Sequence, residues 1–174
     1  LKPGSELQNG KYRIIRMLGQ GGFGITYEAI QVALDRKVAV KEFFMKEGAG
    51  GELAAKFQAK FIKEARVLAN LEHPHIIRVT DVFEETGTAF YVMDFLPGGS
   101  LSDRVRKKGR LSPEEAEKYI RQVASALKYI HDRNLVHLDV KPANILLNAK
   151  EEAVLIDFGI SKHYDSAGGQ TSST

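Results

Sequence analysis

The glycine cluster "GQGGFG", Gly19 to Gly24, is the feature that most narrows the folds open to this chain. It stands between two runs of strand character, "YRIIRML" before it and "ITYEAI" after it. Glycines in a G-x-G-x-x-G pattern serve a dinucleotide-binding fold only when a helix follows them directly. Here the following residues alternate like a strand, so the pattern predicts a hairpin flap that can lie over phosphates. By itself the motif fits any tight hairpin equally well; its neighbours decide between the two.

Those neighbours are β-rich. "KVAVKEF" predicts another strand of a twisted antiparallel sheet, on which Ala39 and Lys41 share one face while Val38 and Val40 share the other. A small residue beside an inward lysine leaves space for a flat ring next to an ammonium group. An edge-strand lysine facing solvent is the plainer alternative. In "AAKFQAKFIKEARVLANL", Phe57, Phe61, Ala65 and Leu68 recur at helical spacing, and His73-Pro74 ends the pattern. Glu64 falls on or beside the face this helix must bury, where a carboxylate is costly unless paired, and Lys41 is its obvious partner. Two further strands, "IIRVTDVFEE" and "TAFYVMDFL", are joined by a turn at Glu85 to Gly87.

"LPGGS" breaks the strand pattern and marks the best internal boundary, dividing the chain into 1–96 and 97–174. Beyond it, Ser112-Pro113-Glu114-Glu115 opens a helix with a capping box and proline at the first helical position. Ala116, Tyr119, Ile120, Val123, Ala124, Leu127 and Ile130 follow the 3.6-residue period and predict one apolar face. The expected fold class is α+β. In "HLDVKPANILL" and the later "IDFG", Asp139 and Asn144 are spaced D-x-x-x-x-N, and Asp157 follows Asn144 by thirteen residues. Asn144 and Asp157 supply the oxygen donors that magnesium prefers beside phosphate and water. Asp139 is then left to accept or orient a hydroxyl proton, and Lys141 can neutralise a transferred phosphoryl group.

Composition excludes several classes of function. Among 174 residues, 43% hydrophobic and 27% charged is the balance of an ordinary globular domain, which rules out a disordered chain. No apolar run reaches the roughly 18 residues a membrane span requires. A net charge of +3 suits an anionic ligand without calling for nucleic acid. The absence of cysteine excludes disulfides and thiolate zinc sites and fits a reducing, cytoplasmic setting. The chain begins at Leu1 without a methionine and reads as a piece of a longer protein, so a membrane anchor elsewhere in that protein stays open. "RVRKKGR", Arg104 to Arg110, reads as a solvated helix end, and His73 and His75 as turn residues rather than metal ligands.

Taken in order, the glycine loop, "VAVK", the helix glutamate, "YVMDFL", "HLDVKPAN" and "DFG" resemble the eukaryotic-like, Hanks-type protein kinases across essentially the whole chain. "GGFGITY" resembles the bacterial serine/threonine members, and Lys141 in "DVKPAN" the serine/threonine rather than the tyrosine class. The resemblance implies a β-rich small lobe with one main helix, joined by a hinge to the start of a mainly helical large lobe. It implies a signalling enzyme that transfers the γ-phosphoryl group of Mg-ATP to a Ser or Thr hydroxyl of a protein. Lys41, held by Glu64, would grip the α- and β-phosphates under the flap of Gly19, Gly21 and Gly24. Asp139 would be the catalytic aspartate and Asn144 and Asp157 the Mg2+ ligands. Thr26, Ala39 and Leu146 would sandwich adenine, Met93 would guard the back of its pocket, and the backbone of Asp94 and Leu96 would hydrogen-bond it. Leu68, Val79, His137 and Phe158 would form a packed column.

Three departures from the family pattern stand out. Thr26 replaces a usual valine. Leu138 replaces the arginine that most regulated members carry, and on an extended segment it would point away from His137 and Asp139, leaving the chemistry intact while removing a phosphate-pairing group. After "DFG" the chain stops within the activation segment, before an "APE"-type sequence, with Ser166, Thr171, Ser172, Ser173 and Thr174 as candidate autophosphorylation sites. Two alternatives stay open on these residues: a pseudokinase-like module that binds nucleotide without transfer, and a small-molecule phosphotransferase of related fold.

Overall fold

The computed structural model describes residues 1–21, 24–44 and 51–158, so the serines and threonines of 166–174 lie outside the described residues. The chain divides into two compact units, one of Leu1–Leu71 with Arg78–Phe95, the other of Glu72–Ile77 with Leu96–Thr174.

In the first unit, β1 (Glu6–Leu7), β2 (Tyr12–Gln20), β3 (Gly24–Gln31), β4 (Arg36–Phe43), β5 (Val79–Glu85) and β6 (Thr88–Asp94) form a six-stranded antiparallel sheet in the order β1-β2-β3-β4-β6-β5. Alternation along the strands sends Tyr12, Ile14, Tyr27, Ala29, Val38, Val40, Phe90 and Val92 into one apolar cluster. The turn between β5 and β6 uses Thr86 and Gly87, both at positive φ (52° and 79°), as a tight two-residue hairpin demands. On the opposite face lies α1 (Gly51–Ala69), which buries Phe61, Glu64, Ala65 and Leu68. Phe61 packs against Phe43 and Tyr91, with ring centroids 5.7 and 4.9 Å apart. Phe57, expected on the same stripe, is only half-buried.

One buried charge of this sheet went unseen in the sequence. Glu28 is 2% exposed and binds Lys37 and Arg16 at 2.8 and 2.6 Å, which staples three adjacent strands. The hydrogen bond from Lys37, followed by the charge of Arg16, holds its carboxyl below the ordinary value of 4.5. A depressed folded-state value means that this stabilisation is present above the unfolded value and disappears as pH falls through the folded one. Thermal melts of Glu28→Gln should therefore show a loss of about 1–2 kcal/mol near neutral pH, modest because both cations are solvent-facing. The gap to the parent should narrow as pH drops below 4.5.

The second unit contains α2 (Leu101–Lys108), α3 (Pro113–His131), β7 (Ile145–Leu147) and β8 (Ala153–Leu155), the last two paired as an antiparallel ladder. Residues 72–77 belong to it because Ile77 donates its N–H to Leu155 O at 3.0 Å and Leu155 donates to His75 O at 2.9 Å. Ser112 and Glu115 close the expected capping box at the start of α3. A second box, Ser100 with Asp103, opens α2. The predicted apolar face of α3 needs correction. Tyr119, Val123, Ala126 and Ile130 are buried, whereas Ile120 is 68% exposed and Ala124 is also exposed. Each of these two sits one residue, about 100° of helical turn, beyond the stripe centred on Tyr119 and Val123.

Gly98 governs how the second unit begins. Its N–H donates to Leu147 O at 3.0 Å, Leu147 N–H donates to Gly99 O at 2.9 Å, and Ser100 bridges Leu146. This short ladder lays the "PGGS" segment along β7.

Candidate active site

The first unit places Thr26, Ala39, Lys41 and Met93 on one face of its sheet. β2 and β3 form the expected hairpin, with Gly19 opposite Thr26 and Gly21 N–H bonded to Gly24 O at 2.8 Å. Thr26 stands opposite Lys41, Ala39 opposite Met93, and Lys41 opposite Tyr91, whose ring lies 5.6 Å from the ammonium. A β-carbon at Gly24 would meet Lys41 Cε at 3.2 Å and Glu42 O at 3.0 Å, so the lysine stem runs directly beside a position that only glycine fits without displacement. Glu64 is 8% exposed on the buried face of α1, and neither it nor Lys41 lacks a partner. Asp94 donates its N–H to Arg78 O at 3.1 Å, which commits that group and leaves recognition of any ring there to its carbonyl.

The second unit brings Asp139, Lys141 and Asn144 into direct contact. Lys141 Nζ lies 2.8 Å from Asp139 Oδ2, and Asn144 Nδ2 donates to the same oxygen at 2.7 Å and to Asp139 O at 2.9 Å. The Lys141 ammonium, and then the Asn144 amide, hold the Asp139 carboxyl below the usual carboxylate range. It is therefore ionised at neutral pH, and its side chain is about half exposed. Asn144 spends its NH2 on Asp139, which leaves its Oδ1 as an acceptor.

His137, named in the sequence only as part of a packed column, also organises this loop through hydrogen bonds. It is 2% exposed, its Nδ1 accepts from Asp139 N–H at 3.2 Å, and its Nε2 faces Ile156 O at 2.9 Å. Accepting at Nδ1 fixes the proton on Nε2, which then donates to Ile156. Burial pushes the imidazole pKa down, in keeping with this neutral form. Ile156 N–H in turn donates to Asn144 O at 3.0 Å. One closed set of bonds thus ties the Asp139 backbone, Asn144 and the residue preceding Asp157. The signal in the sequence was a histidine two residues before the aspartate, flanked by apolar positions. Phe158 packs its ring 4.6 Å from that of His137, while Leu68 and Val79 are buried in the first unit.

Leu138 does not lie on an extended segment. Its φ is +64°, in the left-handed region, and its side chain is 58% exposed. The backbone turns outward there so that His137 can face inward and still receive the N–H of Asp139. Leucine in this conformation costs about 1–2 kcal/mol. Leu138→Asn, which tolerates the left-handed region, should raise stability by about 1 kcal/mol in chemical denaturation. Asp157 is also left-handed, with φ +50°, but an aspartate bears this more easily.

Among the described residues no group of three or more His, Cys, Asp and Glu side chains is arranged to hold a metal ion. Asn144 and Asp157 are hard oxygen donors, a partial set that fits magnesium arriving with phosphates rather than a protein-made cage. Leu146 lies opposite Val154 and beside Ser100, and Leu96 is half-buried. No helix among the described residues is long and apolar enough to cross a membrane.

The first unit thus holds a lysine beside a glycine that leaves no room for a β-carbon, and the second an Asp-Lys-Asn cluster. Residues 12–174 match the protein kinase domain family, and the chain belongs to it. Over 165 residues it is 38% identical to serine/threonine-protein kinase pkn2 of Myxococcus xanthus, covering 93% of this chain and 19% of that protein. Over 153 residues it is 34% identical to serine/threonine-protein kinase PrkC of Bacillus subtilis, covering 88% of this chain and 23% of that protein. The chain thus spans about a fifth of the length of these relatives. The solved structure described as "PpkA-294 apo form" matches with a TM-score of 0.75 at 29% identity, covering 91% of this chain and 61% of that one.

Proposed function

We propose that this chain is the nucleotide-handling part of a protein serine/threonine kinase that transfers the γ-phosphoryl group of ATP to a Ser or Thr hydroxyl of a protein. The observation that carries the proposal is the contact of Lys141 and Asn144 with one oxygen of Asp139. Asp139 orients the acceptor hydroxyl and takes its proton as the oxygen–phosphorus bond forms and the bond to the β-phosphate oxygen breaks, releasing ADP. Lys141, two residues away, offsets charge on the transferring group. Lys41, steadied by Glu64, grips the α- and β-phosphates beneath Gly19, Gly21 and Gly24. Thr26, Ala39 and Leu146 contact adenine, with Met93 behind it and the backbone of Asp94 and Leu96 at its edge. Asn144 and Asp157 would hold Mg2+, which supplies charge neutralisation at the phosphates. Catalysis of this kind is positioning and electrostatics, which the bond set around His137 serves. A cysteine-free chain that uses ATP suits a cytoplasmic location.

Transfer of labelled γ-phosphate from Mg-ATP to a generic Ser/Thr protein tests this, with small hydroxyl compounds as competing acceptors. Labelling of the protein acceptor is the expected result. Labelling of the small compounds alone would reassign the chain to small-molecule phosphotransfer, and nucleotide binding without any transfer would make it a binding module. Leu138 offers no charge to a phosphate, so transfer should not depend on a phosphorylated residue paired at that position.

A further inference from the structure

The outward face of α1 carries an uncompensated row of positive charge. Lys56, Lys60, Lys63 and Arg66 recur at intervals of four, three and three residues, and all four side chains are exposed. At 1.5 Å per residue the row is about 15 Å long. Among the described residues none of the four pairs with a carboxylate; the one contact of a charged group is Lys60 over the Phe57 ring, 5.6 Å away. The carboxylates of α1 lie elsewhere, Glu52 in its first turn and Glu64 on its buried face.

The other helices handle charge differently. Arg121 pairs with Glu117 and Lys128 with Asp132 along α3, each at 2.7 Å, while Arg106 pairs with Asp103 on α2 and Arg104 reaches Glu115 on α3 at 2.7 Å. Like charges at i,i+3 and i,i+4 weaken a helix by about as much as opposite ones strengthen it. The α1 row therefore works against its own helix, and packing within the unit gives no reason for it.

We infer that this row is a docking surface for an extended, acidic segment of a partner protein. One face of an extended segment presents a side chain about every 6.6 Å, so two or three of its carboxylates come within reach of flexible lysine and arginine side chains spaced about 4.5–6 Å along the helix axis. A bilayer is a poorer fit. An interfacial helix sinks an apolar face into lipid, whereas the apolar face of α1 is already packed on Phe43 and Tyr91. Single-stranded nucleic acid would call for several exposed aromatic rings among the cations, whereas Phe61 is buried and Phe57, the ring beside Lys60, is half-buried. Glu64 lies about a quarter turn around the same helix from the row, four residues after Lys60, so a bound segment steadies the residue assigned to Lys41. That consequence, though not the docking itself, rests on the kinase proposal.

The test is binding of a fluorescently labelled glutamate homopeptide, read by anisotropy at low and moderate salt, so that its outcome is independent of phosphotransfer. Lys56→Gln/Lys60→Gln/Lys63→Gln should weaken binding about tenfold, whereas Lys107→Gln/Lys108→Gln/Arg110→Gln, which removes the same charge from the end of α2 and the residue beyond its cap, should change it little. The melting temperature of the α1 variant should stay level or rise, because repulsion is removed. Should that triple variant fail to fold, Lys60→Glu gives internal pairs to Lys56 and Lys63 and should both stabilise the helix and weaken binding. Equal weakening by the two triple variants would reduce the effect to net charge and overturn the inference. So would no binding of the peptide by the parent chain, or tighter binding to phosphatidylserine vesicles than to the peptide, lost in the α1 variant.

Discussion

Asp139→Asn should lower the rate of phosphoryl transfer about 10²–10⁴-fold while leaving nucleotide affinity and fold nearly unchanged. The substitution is isosteric, so the loop that holds position 139 keeps its shape. His137 still receives the backbone N–H of residue 139, and the Asn144 amide still has the carbonyl of residue 139 to bond at 2.9 Å. What disappears is the charge. A neutral amide cannot take a proton from a hydroxyl, and it offers the Lys141 ammonium, now 2.8 Å from Oδ2, only an uncharged acceptor. Single-turnover phosphate transfer and equilibrium nucleotide binding, measured on the same preparation, separate the two effects. A variant that loses binding and transfer together would place Asp139 in nucleotide retention rather than in chemistry.

Gly98→Ala should be the most destabilising single-methyl addition at a described glycine, at about 2–4 kcal/mol in chemical denaturation. A β-carbon there would lie 2.6 Å from Leu147 Cβ and 2.7 Å from Leu147 O, both well inside contact distance. The obstacle is backbone and the base of a side chain, neither of which can swing away. Relief requires lengthening the 3.0 Å bond from Gly98 N–H to Leu147 O and the 2.9 Å bond that follows it. Gly99→Ala makes an informative companion. Gly99 has φ +68°, yet its nearest neighbour would be Asp103 Oδ2 at 3.6 Å, an ordinary contact. Its cost should be the left-handed penalty of about 1–2 kcal/mol. If Gly99→Ala proved the worse of the two, the segment would need glycine for its turn rather than for close approach to β7.

Local pattern was enough to read much of this molecule. The strand after "GQGGFG" was legible because alternation is a property of neighbouring residues, and it alone separated a β-hairpin flap from a glycine-helix turn. Ser112 and Pro113 announced α3 for the same reason: a cap acts within one turn of itself. The spacing of Asp139, Asn144 and Asp157 was visible because a short loop and two short strands leave little freedom between them.

Where the signal was not local, the sequence was silent or misleading. Periodicity could not say where the edge of the buried stripe on α3 falls, and Ile120, 68% exposed, lies just past it. Nor could it reveal Glu28, whose two cations come from the strands on either side, or the left-handed turn at Leu138 that lets His137 serve both Asp139 and Ile156.

By itself, then, the sequence indicated most of the larger elements, though not β1 or the bounds of α2, and which side chains are chemically suited to phosphate, metal and proton. Tertiary structure alone decided which of them touch. It placed Lys141 and Asn144 on a single oxygen of Asp139, and it made Gly98 indispensable through Leu147, nearly fifty residues downstream. The physical reason is the range of the forces involved. Propensity and capping act within a few residues, whereas hydrogen bonds, close packing and charge pairing act across a few ångströms, whatever the separation along the chain.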